Sequence, residues 1–197
     1  MIFYKIEKFK IMTRIFFFAL MLMVVSTSMQ AQKYFTREGK VTFSSEAALE
    51  NIEGHNSNAT SVIDISSGRM EFAILIKAFQ FEKALMQEHF NENYLESDKY
   101  PKATFKGYID NIGSIDLSKD GEYEVIVKGD LTIHGETKAI ESPGKIIVKD
   151  GHISASSSFE VVVADYKIEI PGIVRDNIAK VVQINIALNY QELNKGS

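Results

Sequence analysis

From residue 32 onwards, apolar and polar positions alternate in a succession of short stretches, the period of half-buried strands. Gly39, Val41 and Phe43 share one face of the first stretch. A second runs from Ala59 to Ile65 and stops at Ser66-Ser67-Gly68. Met70, Phe72, Ile74 and Ile76 then alternate with Glu71, Ala73, Leu75 and Lys77. Later come Tyr123, Val125, Val127, Gly129, Leu131 and Ile133, facing away from Lys128, Asp130 and Thr132. Ile146 and Val148 follow, and Asp150-Gly151 after them reads as a tight hairpin turn. Phe159, Val161 and Val163 continue the pattern, and Val182, Ile184, Ile186, Leu188 and Tyr190 close it.

One segment changes period. Met86, Phe90 and Tyr94 recur every four residues and lie along one helical face. Pro101 pushes Tyr100 towards an extended conformation. From Ala103 the period is two again, with Phe105, Gly107 and Ile109 on the same side. A short helix therefore feeds a strand through a Lys-Tyr-Pro corner. The pattern predicts an all-β fold, an antiparallel lipocalin-like barrel of about eight strands capped by one main α-helix. Closure removes the exposed sheet edges. The helix lays Leu85, Met86 and Phe90 towards one end. A barrel of this size either fills with side chains or leaves room for one small ligand.

The amino terminus has a different design. Lys5, Lys8, Lys10 and Arg14 precede an apolar run from Ile15 to Val25, and Ser26-Thr27-Ser28-Met29-Gln30-Ala31 follows. This is the layout of a secretory signal peptide with cleavage near Ala31, which predicts a periplasmic or secreted protein. The run is too short for a spanning helix, which needs ~20 residues, so no membrane span is expected after cleavage. Residues 1–31 are thus the signal peptide and 32–197 a single domain. The mature chain carries 22 − 4 = 18 basic and 26 − 1 = 25 acidic residues, a formal charge of −7. That balance argues against nucleic acid as a partner. With no cysteine, disulfides and a lipidated lipoprotein anchor are both excluded, and stability rests on an ordinary core.

Little in the chain points to catalysis. His55, His89, His134 and His152 show no metal-ligand spacing. Glu88, Glu92 and Glu96 recur at four-residue spacing and read as a solvated helix face. Neither a nucleophile elbow nor a phosphate-binding glycine loop is present. No enzyme activity is expected. If His134 acted as a general base beside Asp130, the chain would be an enzyme on a lipid head group. A turn histidine tying its hairpin together fits the same residues more simply.

Two motifs carry a resemblance. Lys99-Tyr100-Pro101 with Phe105, then Gly129 through Gly135 (GDLTIHG) with Thr137 and Lys138, is similar in order and spacing to the YceI-like, polyisoprenoid-binding family of secreted bacterial proteins. The resemblance implies the barrel, with its interior open as a tunnel for an isoprenoid-like amphiphile. Phe43, Phe72, Ile74, Leu85, Met86, Phe90, Phe105, Val127, Leu131, Ile133, Phe159, Val161, Ile184 and Ile186 would line that tunnel. By pattern alone the same residues also make a dry, full core, which would leave a cell-envelope interaction module without a ligand. In a tunnel each buried methylene of the ligand contributes ~0.8 kcal/mol. A polar head would stay at the rim, where His89 or His134 would meet it and Lys83, Lys99, Lys102 or Lys138 would offset a phosphate. No cofactor is expected beyond a bound isoprenoid lipid or quinone, and a homodimer stays open. The chain departs from the family between Phe43 and Ser61 and along the helix, Met86 to Tyr94, regions that bear on which lipid is bound.

Overall fold

A computed structural model describes residues 32–193; the signal peptide expected over residues 1–31 lies outside the described residues. Eight strands follow in chain order: β1 (Lys33–Glu46), β2 (Asn51–Asp64), β3 (Arg69–Leu75), β4 (Lys102–Ile109), β5 (Gly121–Ile133), β6 (Glu136–Lys149), β7 (His152–Val162) and β8 (Val181–Glu192). Each pairs antiparallel with its chain neighbour, and β8 pairs back onto β1, so the barrel is closed. The expected architecture is the one formed.

Turn chemistry sets the register of β5 to β7. Ile133 pairs with Glu136 and Lys149 with His152, leaving His134-Gly135 and Asp150-Gly151 as two-residue turns. All four turn residues have positive φ, between 50° and 78°, as type I′ hairpins require. Glycine at the second position removes half of the steric cost.

The alternating directions sort the connections into two ends. At the upper end lie the β1–β2 turn, the long β3–β4 connection, the His134 turn and the β7–β8 connection. The β3–β4 connection carries α1 (Ala84–His89), which continues as a π-helical turn over Phe90–Tyr94. There the Leu95 N–H donates to the Phe90 carbonyl, five residues back. The capping helix is therefore only six α-helical residues long before its winding widens.

The ladder departs from regularity along β1, against both β2 and β8, and between β6 and β7. β2 begins at Asn51, earlier than the stretch from Ala59 that the pattern predicts. Its inward positions are Ile52, Gly54 and Asn56, then Ala59, Ser61 and Ile63, with a change of phase opposite the irregularity of β1 between Thr36 and Val41. Small and polar inward residues and a phase slip hide the strand from a hydrophobic reading. The buried Asn56 is satisfied: its Nδ2 donates to the Leu75 carbonyl at 3.0 Å and its Oδ1 accepts from the Asn58 N–H at 2.8 Å.

Between β6 and β7 the ladder runs only from Gly144–Ser157 to Lys149–His152. Above that, Glu136 to Pro143 of β6 and Ser158 to Val162 of β7 have no partner in each other, although β6 stays paired with β5 and β7 with β8. Pro143, which has no N–H to donate, stands where the ladder stops. Side chains bond there instead, with Ser157 Oγ donating to the Pro143 carbonyl at 2.8 Å.

Candidate functional site

The inward faces do not fill the barrel. They enclose a chamber of about 230 Å³, many times the 10–15 Å³ that a single water needs (order of magnitude). Phe43, Phe72, Ile74, Met86, Phe90, Phe105, Val127, Leu131, Ile133, Phe159, Val161, Ile184 and Ile186 all line it. Leu85 does not: it is 62% exposed. The helix turns the Met86–Phe90–Tyr94 stripe inward, and Leu85 stands about 100° round the axis from Met86.

The pattern missed further lining residues. Tyr94, Val41, Leu188 and Tyr190 also reach the chamber; they share faces with residues already assigned to it, so their periodicity could have found them. Ile168, Ile170 and Ile178 reach it from the β7–β8 connection, where no periodicity announces them. At the upper end the rings of Phe43, Phe79, Phe81 and Phe90 form one cluster, with centroids 4.9–6.0 Å apart. Gly54 makes room for it, because a Cβ there would stand 2.5 Å from Phe43.

Hydroxyls in and behind the wall are already bonded. Ser142 Oγ lies 2.8 Å from Ser157 Oγ. Ser45 Oγ accepts from the Ala179 N–H at 2.8 Å. Tyr190 OH lies 2.8 Å from Ser61 Oγ, which also donates to the Glu71 carbonyl at 3.1 Å. With these hydroxyls bonded and its surface dominated by hydrocarbon, the chamber suits an apolar occupant better than water.

The proposed head-group histidines are placed elsewhere. His134 is committed to a clasp: Nδ1–H donates to the Tyr166 carbonyl at 3.1 Å, and Nε2 lies 2.8 Å from Glu96 Oε2. Its side chain is only 10% exposed, so neither ring nitrogen is free to meet a head group. His89, half-buried at the end of α1, is not a lining residue. Among the four lysines, Lys83 is bound to Glu50 at 2.6 Å, which holds its ammonium above the ordinary range. Lys99 lies over the Tyr100 ring and 3.9 Å from Glu96. Among the described residues, no group of His, Cys, Asp or Glu could hold a metal ion and no helix is long and apolar enough to cross a membrane.

A sequence profile for the YceI-like domain matches residues 30–190. The chain belongs to the YceI-like domain family. No curated relative matches it. Solved structures do. A polyisoprenoid binding domain from Saccharophagus degradans, implicated in plant cell wall breakdown, superposes with a TM-score of 0.71 at 16% identity, over 83% of this chain and 99% of that one. BcnA from Burkholderia cenocepacia gives 0.63 at 17% identity, covering 78% and 96%. The YceI protein of Campylobacter jejuni gives 0.55 at 20% identity, covering 76% and 90%.

The two motifs by which the chain resembles the YceI-like family meet in space. Tyr100 sets its ring edge-on to His134, with centroids 4.5 Å apart, and a Cβ on Gly135 would come within 2.6 Å of it. Gly107 and Gly129 face each other across β4 and β5, and the end of the Phe105 ring fills the space a Cβ on either would need. In this YceI-like barrel the motifs join the β3–β4 corner to the β5–β6 hairpin. They build the wall.

Proposed function

We infer that the protein is an exported, non-enzymatic binder that holds one isoprenoid-like amphiphile in its barrel. The observation that carries this is the chamber, about 230 Å³ in size and walled by phenylalanine, isoleucine, valine and leucine, with the hydroxyls of Ser45, Ser142, Ser157 and Tyr190 bonded. Burying a hydrocarbon chain there releases water from both surfaces, at ~25 cal/mol per Å² of apolar area. The polyisoprenoid-binding description of the Saccharophagus degradans domain supports the ligand class. The clasped state of His134 supports the absence of chemistry. The basic, apolar and small-residue succession over residues 1–31 supports export with cleavage near Ala31.

Native mass spectrometry of the protein, expressed full-length, exported and purified without detergent, tests this reading. A mature species beginning after Ala31 and carrying one isoprenoid or quinone is the expected result. An apo mass that persists after incubation with isoprenoid lipids would instead assign the barrel to a cell-envelope interaction role.

A further inference from the structure

Both ends of the barrel are obstructed. The four-phenylalanine cluster and Met86 stand across the upper end. At the lower end Ile112, Ile115 and Leu117 of the β4–β5 connection pack onto the core around Ile109 and Val125. A lipid that enters through the wall avoids displacing these side chains. β2 and β3 also part, above Thr60, but there the His55–Gln80 bridge closes the gap; the seam where β6 and β7 separate above Pro143 has no such backbone bridge between the two strands.

A strap closes that seam. After β7 the chain makes a single 3-10 turn and reverses at Lys167, which holds a left-handed φ of 53°. Residues Ile168 to Pro171 follow without regular structure. Ile168 and Ile170 pack with Ile140 of β6 against Leu131, Val161 and Tyr166 and line the chamber. Within the strap, only the Ile168 N–H donates to another backbone group, the Val163 carbonyl at 3.3 Å. Two polar links pin the strap's near end to the β5–β6 hairpin: His134 to the Tyr166 carbonyl, and Lys167 Nζ to Glu136 Oε1 at 2.7 Å. Val162 and Val181, paired at the top of β7 and β8, and Ile173 beyond the strap are exposed, Ile173 at 93%. The seam is thus closed towards the chamber by an apolar segment with few bonds, the kind that opens most easily.

We propose that the β6–β7 seam is the lateral portal through which the lipid's chain enters and leaves, with Ile168–Pro171 as its strap. This rests on the lipid-binding reading above. The test uses Glu136→Cys with Lys167→Cys, whose native side chains meet across the seam; the chain has no other cysteine. A reducible bis-methanethiosulfonate then ties the two sides together. Uptake and release of dansyl-farnesol are followed by stopped-flow fluorescence before tying, after tying and after reduction. Tying should slow both rates about tenfold or more, and reduction of the same sample should restore them. Uptake at rates indifferent to the tie would overturn the portal and leave lipid binding intact. No uptake by the untied protein would overturn the lipid reading and the portal with it.

Discussion

Tyr190 shows how one wall residue ties stability to pH. Ser61 Oγ spends its proton on the Glu71 carbonyl, so the phenol of Tyr190 donates to Ser61. Burial pushes that phenol up to about 12, because a phenolate there would lose its water. The folded protein holds the proton more tightly than the unfolded chain, which releases it near 10. The resulting stability is whole below about pH 10 and drains away as pH rises towards 12. Tyr190→Phe removes the titrating group and leaves Ser61 bonded to Glu71. Urea unfolding at pH 8 and pH 11.5 should show wild type losing about 2 kcal/mol more than the variant between the two. An equal loss in both would mean that the phenol titrates as it does in water.

At the scale of elements, the His134 turn is a junction of three pieces of chain. It joins the β5–β6 hairpin to Glu96 beyond the π-helical turn and to Tyr166 beyond β7. His134→Ala should leave the barrel folded, lower its stability by about 1 to 2 kcal/mol and leave the equilibrium affinity for lipid unchanged. Denaturant unfolding and a dansyl-farnesol titration measure the two effects separately. A variant of full stability that no longer takes up lipid would return His134 to the binding site. The sequence announced the hairpin because His-Gly and Asp-Gly are turn chemistry, and it announced β4, β5 and β8 because large apolar residues mark their inward faces. It did not announce the start of β2, whose inward Gly54, Asn56 and Ser61 carry no hydrophobic signal. Nor did it place Leu85, since a helical stripe read at four-residue spacing does not tell which flanking residue the winding turns outward.

For the whole molecule, the decisive question was whether the barrel is full. Periodicity fixes which side chains point inward but not whether their volumes sum to the space enclosed. Thirteen of the fourteen expected lining residues reach the chamber, yet the chamber itself, and the isoleucines that reach it from the β7–β8 connection, are properties of the closed chain. Filling the space tests its purpose. Ala155 lines the chamber, and Ala155→Phe should occupy it without displacing a tightly packed neighbour. Lipid affinity should fall by about tenfold or more while the melting temperature stays within a few degrees, because the new ring gains contacts in place of the ligand. Calorimetry with the same variant checks that second arm; unchanged affinity would place the ligand outside the barrel.

Closure of β8 onto β1 also governs when this molecule can come into being. Phe43 pairs with Ile184 and Val41 with Ile186, so the first strand waits for the eighth to be synthesised. Until they arrive, β1 and β7 each show a bare edge, the kind of surface that recruits other extended chains. A ribosome that stalls before Val181 would release not a weaker lipid binder but an open sheet, fit for a chaperone or a protease.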